Sequence, residues 1–455
     1  MIHAGIGPTH VNSLICTMNI PPMRPNCLKR REREIGPTLE KVAKRVCKDA
    51  YWEECKLTDQ DNLTLSYDMG WQKRGKGFNS LTGVGHLIGS KTKKAVGYRT
   101  RNKRCATCHL ASLRGRIPRK HDCRKKWFGS SKGMEPDVAV ELVKECNDRG
   151  VIVRSIIGDD DSTTLKRLRE EIDTDITKIS DIVHTKRTLT NRLYELKKNH
   201  KELTVPVIQH ITKCFSYAVV QNANDVPGIQ HALSAIIPHC YGCHNLCGTW
   251  CGYRKNPETY KRRGFKGDLK DKNTRAQLNT VMKFFIDNTN KFAAAANSQS
   301  NEAFNQTVAS KALKCRHYGS SESNDFRVAA AVCQKNSGRR YVPNICQELL
   351  LSPGNFAILN GKTIDNKANG SITRRSTKDA KIRRIQLRQE RSSKSNAQVL
   401  REGTTYETNV GFAEEVDDVN IPPAATIPNL QRLTIDDEEP GNLVIFDIET
   451  TCAGK

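Results

Sequence analysis

"MEPDVAVELVKECNDRGVIVRSIIGDDD", residues 134–161, changes its period once, and that change decides the fold. In the first half Val138, Leu142, Val143 and Cys146 recur at helical spacing as one apolar stripe, with Pro136 near the start and Gly150 as the stop. In the second half "VIVRSIIG" is a short, mostly apolar run, the pattern of a strand buried on both faces of a parallel sheet. Such a strand delivers the residues after it, Asp159, Asp160 and Asp161, to the carboxyl edge of the sheet.

Upstream, "NLTLSYD" (62–68), "LTGVGHLIGS" (81–90) and "KKAVGYRT" (93–100) read as three short strands with Gly-containing turns between them, and an antiparallel meander is their simplest arrangement. Leu63, Leu65 and Tyr67 share one side of the first strand; Thr64, Ser66 and Asp68 share the polar side. Downstream, "STTLKRLREEI" (162–172) and "HTKRTLTNRLYELKK" (184–198) read as helices. Three strands, helix, strand, helix predicts an α/β fold with an RNase H-like core: three antiparallel strands, a helix, then parallel strands.

That order puts Asp68 on the first strand and the "GDDD" acids at the tip of the fourth. Adjacent strands lie about 4.8 Å apart, so carboxylates at neighbouring positions can share divalent ions. Two such ions about 3.5–4 Å apart activate an attacking oxygen and stabilise a leaving one in phosphodiester transfer. Hard Mg2+, or Mn2+, suits oxygen ligands. Asp159, directly after Gly158, is the candidate and Asp161 its rival, while Ser162 or Asp161 also suits the cap of the next helix.

Composition points to a polyanionic partner. The 455 residues carry 74 Lys and Arg against 49 Asp and Glu, a net +25, which favours nucleic acid over membrane. No run of 18 apolar residues occurs, and the start "MIHAGIGPTHVNSL" lacks a signal-peptide pattern. Seventeen cysteines, an odd number, favour reduced thiols and metal ligands over a disulfide framework, and imply nucleus or cytosol.

Two clusters have zinc-ligand spacing. "CATC" with "HDC" after it offers Cys105, Cys108, His121 and Cys123, with His109 a competing ligand. "PHCYGCHNLCGTWCGY" offers six candidates for four places: His239, Cys240, Cys243, His244, Cys247 and Cys251. Four protein ligands leave no open position, so both sites would be structural. Cations crowd the first loop and the stretch after Asp68: Lys73, Arg74, Lys76, Arg99, Arg101, Lys103, Arg104, Arg114, Arg116, Arg119, Lys120, Arg124, Lys125 and Lys126. Such density suits phosphate contacts, which position a duplex without reading its sequence. Trp71 and Trp127 are either stacking platforms or half-buried core residues.

"DMGWQKRG", "HDCRKKWFGSSKGMEPDVAVELVKEC", "GDDDSTTLKRLREEI" and "SQSNEAFNQTVASKALKCRHYGSSESNDFRVAAAVCQKN" together resemble the Mutator-like transposases, over nearly everything from about residue 5 to about 405. The resemblance implies an Asp, Asp, Glu catalytic set on an RNase H-like core, with a helical insertion between the second and third acids. The matching positions are Asp68, Asp159 and Glu302, and the insertion explains the distance to Glu302. Taken alone, Glu302 in "NSQSNEAFNQTVASKA" is an acid in a helix's first turn, where it complements the dipole. The resemblance further implies an Asp or Cys with His after the fifth strand, matched by Asp181 and His184 in "DIVH"; a helix-capping pair is the alternative. For the second cluster it implies His239, His244, Cys247 and Cys251.

The implied organisation is a helical region 1–60, a core 61–199 with its zinc loop at 101–126, a helical insertion 200–290 and the rest of the core at 291–350. A basic then acidic linker, largely disordered, occupies 351–440. Within it Arg374, Arg375, Lys381, Arg383 and Arg384 suit either nuclear import or a DNA-backbone contact. The final segment, 441–455, resembles the first motif of DEDD exonucleases through Asp447 and Glu449, and lacks the downstream acids such an enzyme needs. The expected activity is metal-dependent cleavage of transposon ends and transfer of a 3′-hydroxyl to target DNA by a nuclear homo-oligomer; a host-recruited, inactive DNA-binding scaffold is the alternative.

Overall fold

The alternating residues of the first half form β1 (Leu63–Trp71), β2 (Thr82–Gly89) and β3 (Ala95–Asn102), and the apolar run after Gly150 forms β4 (Val153–Gly158). This is a computed structural model, and it describes residues 1–58, 63–72, 80–158, 162–260, 265, 267–316 and 318–397. With β5 (Thr177–Ser180) the strands make one sheet in the order β3-β2-β1-β4-β5. β1 pairs antiparallel with β2, and β2 with β3; β1 pairs parallel with β4, and β4 with β5.

The helices in chain order are α1 (Pro8–Thr17), α2 (Pro25–Lys56), α3 (Ala106–Leu113), α4 (Met134–Asn147), α5 (Ser162–Glu171), α6 (Ile182–Lys197), α7 (Val205–Gln221), α8 (Val226–Cys240) and α9 (Gly252–Lys255). After them come α10 (Lys272–Asp287), α11 (Gln299–Lys311), α12 (Ser323–Ser337), α13 (Tyr341–Glu348), α14 (Asn355–Ser376) and α15 (Lys378–Ala397). The stripe Val138, Leu142, Val143 and Cys146 of α4 is buried against Leu63, Leu65 and Tyr67 of β1 in one core. A second core seats α2, α11 and α12 on the other side, through Leu39, Phe304, Phe326 and Val328 with Val84 and Ile88 of β2. That side of β1 is therefore covered: Ser66 is buried and Asp68 half-buried.

A third core is built mainly by α6, α7, α8 and α10, around Leu193, Ile211, Phe215, Leu233 and Phe285, with Leu203, Leu269, Phe292 and Ala293 from the segments beside them. It covers the stretch 200–290 expected as a helical insertion and also takes in α6, which the sequence reading assigns to the preceding core. By packing the chain separates into Met1–Thr373 and Arg374–Lys455. In the second unit the basic stretch is helical through α15, where the sequence suggests a largely disordered linker; residues 398–455, with Asp447 and Glu449, lie outside the described residues. Among the described residues no helix is long and apolar enough to cross a membrane.

Candidate active site and metal centres

Asp68 sits on β1 opposite His86 of β2, next to the position where β4 ends. One of its oxygens accepts from the Met69 N–H (2.7 Å) and the other from the Asn305 amide (2.7 Å). Burial pushes its carboxyl pKa up; those two hydrogen bonds and the nearby His184 pull the other way. Asn305 belongs to α11, the helix that carries Glu302.

Three rungs tie α11 and the residue after it to β1 and the residue after it. Asn301 donates to the Ser66 carbonyl (3.2 Å), Asn305 to Asp68, and Gln72, just past the strand, donates to the Ala312 carbonyl (3.0 Å), just past the helix. The first two match in spacing, since four helical residues rise about 6 Å and two strand residues about 7 Å. Gly70 permits the approach: a Cβ there would stand 2.4 Å from the Asn305 side-chain oxygen. Glu302 lies one turn before Asn305 on the same flank of the helix, and is exposed. The strand and the helix that bear Asp68 and Glu302 are thus in direct contact.

Asp181 caps α6, accepting the Val183 N–H (2.5 Å), and its second oxygen accepts the N–H (2.8 Å) and the hydroxyl of Ser298 at the start of α11. The carboxylate is 2% exposed and engaged by donors on both oxygens. His184 stands in the first turn of α6, half-buried and near enough to Asp68 to influence its charge. Gly158 ends β4 beside Tyr67, a Cβ there lying 3.2 Å from the Tyr67 carbonyl. Asp159, Asp160 and Asp161 lie outside the described residues.

Both Cys/His clusters close on four side chains whose ligand atoms lie within 4.8 Å of one another. In the first, His121 Nε2 is 3.2 Å from Cys105 Sγ and 3.4 Å from Cys108 Sγ, and Cys108 Sγ is 3.7 Å from Cys123 Sγ. In the second, His239 Nδ1 is 3.1 Å from His244 Nδ1 and 3.4 Å from Cys247 Sγ, while Cys251 Sγ is 3.5 Å from His244 Nδ1. Tetrahedral zinc with Zn–S of about 2.3 Å and Zn–N of about 2.0 Å requires ligand separations of about 3.3–3.8 Å. Both sets fit. Each cluster also has a partner that orients a histidine: His121 Nδ1 meets the Arg119 carbonyl (2.7 Å), and His239 Nε2 meets the Tyr260 hydroxyl (3.2 Å). The competitors stand elsewhere, His109 against Arg104 and Cys240 inside the core of the insertion.

Three of the cations offered for phosphate contact are already neutralised. Arg99 and Arg101 pair with Asp137, Glu141 and Glu145 along α4, and Arg124 with Glu40, Asp122 and Asp325. Arg104, Arg114, Arg116, Arg119, Lys120, Lys125 and Lys126 remain exposed on the zinc loop; Lys73, Arg74 and Lys76 lie outside the described residues. Trp71 and Trp127 pack against the core, as half-buried tryptophans do. The sequence missed Asn301, Asn305 and Ser298, although two amides four apart flanking Glu302 were a usable signal.

A family model described as Mutator-like transposase matches residues 1–251, which span Asp68, "GDDD" and both zinc clusters. The chain belongs to the Mutator-like transposase family. No curated protein and no solved structure matches it. Membership gives this Mutator-like chain a function related to DNA transposition, in a family that uses divalent metals, and its two Cys/His clusters are candidate metal centres on a mixed α/β scaffold.

Proposed function

We propose that the chain is a DDE-type DNA transposase that binds transposon ends and target DNA, cleaves a strand with water and transfers the freed 3′-hydroxyl to the target. The observation that carries this reading is the seating of α11 on β1, with Asn305 bonded to Asp68 and Glu302 one turn away on the same flank. The sheet order, antiparallel through β1 and parallel beyond it, supports an RNase H-like core. In this reading Asp68, Asp159 and Glu302 hold Mg2+ or Mn2+, with Asp161 the rival for the second place. When bound, the ions activate the attacking oxygen and stabilise the leaving one. Asn305 orients the Asp68 carboxylate, and His184 stands near it. The exposed cations of the zinc loop hold phosphates.

Zinc in both Cys/His clusters would be structural. Arg374, Arg375, Lys381, Arg383 and Arg384 are all exposed on helices, which supports a nuclear import role. Asp68→Asn and Glu302→Gln should each abolish Mg2+-dependent nicking of terminal-repeat DNA while leaving salt-sensitive DNA binding intact. Retained nicking in both variants removes these residues from the metal site.

A further inference from the structure

Between the carboxyl end of the sheet and the helical insertion lies a cavity of about 590 Å3 that the proposed metal chemistry does not use. Ser180, paired with Gly158 at the tip of β4, lines it on the sheet side, with Ser162 at the start of α5. It therefore opens beside the strand end that leads into "GDDD". Its far wall is the end of α10 and the turn after it.

Among the described residues the charged lining is cationic. Arg169, Lys178 and Lys291 contribute cations, and no carboxylate contributes among the described residues. Arg169 is anchored through Nε on the Ile176 carbonyl (3.0 Å), and Lys291 is exposed. Phe284 adds a ring that is 43% exposed and held by the Arg192 guanidinium, 3.8 Å from its centroid. Cations that track phosphates beside an exposed aromatic ring are the parts of a single-strand binding groove.

We infer that this cavity binds a short single-stranded stretch of DNA next to the bond being cut, with phosphates on Arg169 and Lys291 and a base stacked on Phe284. The identity of the nucleic acid rests on the proposed transposase reading. The site gives the strand a path from the sheet edge into the insertion, so that duplex opening and cleavage are coupled by geometry.

The test is fluorescence anisotropy on the full chain without added Mg2+ or Mn2+ and without chelator, with a labelled single-stranded decamer and a duplex of the same sequence. Lys291→Glu should weaken single-strand binding about tenfold and lower the salt slope by roughly one phosphate's worth of released counterion. Phe284→Ala should weaken it about fivefold or more. Both positions are exposed, duplex affinity should change less than twofold, and unchanged zinc content reports an intact fold. Wild-type protein that ignores the single strand, equal losses for both DNAs, or no loss in either variant overturns the inference. Nicking of terminal-repeat DNA in Mg2+ is read separately. Selective single-strand losses without wild-type nicking would retire the cleavage reading and keep the cavity, and nicking with flat decamer data would do the reverse.

Discussion

Removing the Asp181 carboxylate tests whether the seating of Glu302's helix depends on a tie made 117 residues away in sequence. The group is buried and accepts three hydrogen bonds: the Val183 N–H, the Ser298 N–H and the Ser298 hydroxyl. Hydrogen bonds to a charged group contribute about 1.5–3 kcal/mol each, and a buried donor left unpaired costs about 1–3 kcal/mol. Asp181→Ala loses all three and strands two backbone N–H groups, so it should destabilise the fold by about 3–5 kcal/mol after partial relaxation. Ser298→Ala loses the hydroxyl alone and keeps the backbone bond, so it should cost about 1.5–2 kcal/mol. The double variant should cost no more than Asp181→Ala, because the hydroxyl's acceptor is already gone.

Urea unfolding gives the three free energies, and amide exchange locates them. Protection should fall in α11 and in the first turn of α6, and persist in α4 and β2. Equal costs for the two single variants, or unchanged exchange in α11 after Asp181→Ala, would refute the tie.

His86 is fully buried, and burial pushes its pKa from 6.5 down to about 3. The unfolded chain therefore takes up this proton first, and stability falls as pH drops from 6.5 towards 3, by up to about 5 kcal/mol in total. His86→Leu should flatten the decline of urea midpoints across that window; an unchanged slope would clear His86 of the acid sensitivity. For the metal centres, atomic absorption on purified protein should find two zinc ions per chain, falling by one in Cys105→Ser and by one in Cys251→Ser. Unchanged content in either variant defeats that site.

Period and spacing made the first four strands and α4 legible, because one face of the sheet meets α4, a neighbour close in sequence. The cover over β1 was not. Ser66 and Asp68 read only as the polar side of the strand, and α11 closes over them from 237 residues away, through amides that look like surface residues in "SNEAFNQ". Arg99 and Arg101 read as phosphate ligands because the sequence shows their density and not their partners. The clue was present, since Asp137, Glu141 and Glu145 recur every four residues and place three acids on one face of α4. In the second zinc cluster spacing left six candidates open, and Cys240 was settled by facing the apolar core of α8.

The position of Glu302 raises a question of chain entropy. The helices of the third core lie between Ile182 and Ala296, and the Ile182 N–H donates to the Ala296 carbonyl at 2.9 Å. Asp181 and Ser298 close the same neck from one step further in. Closing a loop costs entropy that grows only slowly with its length, so a long insertion costs little more than a short one. Between these points the insertion packs around its own core, from Leu189 to Ala293. These helices can thus vary in length while the neck keeps α11 on β1. In this arrangement the register of the Glu302 helix depends on the neck and the three rungs to β1, and the size of the intervening chain is free to vary.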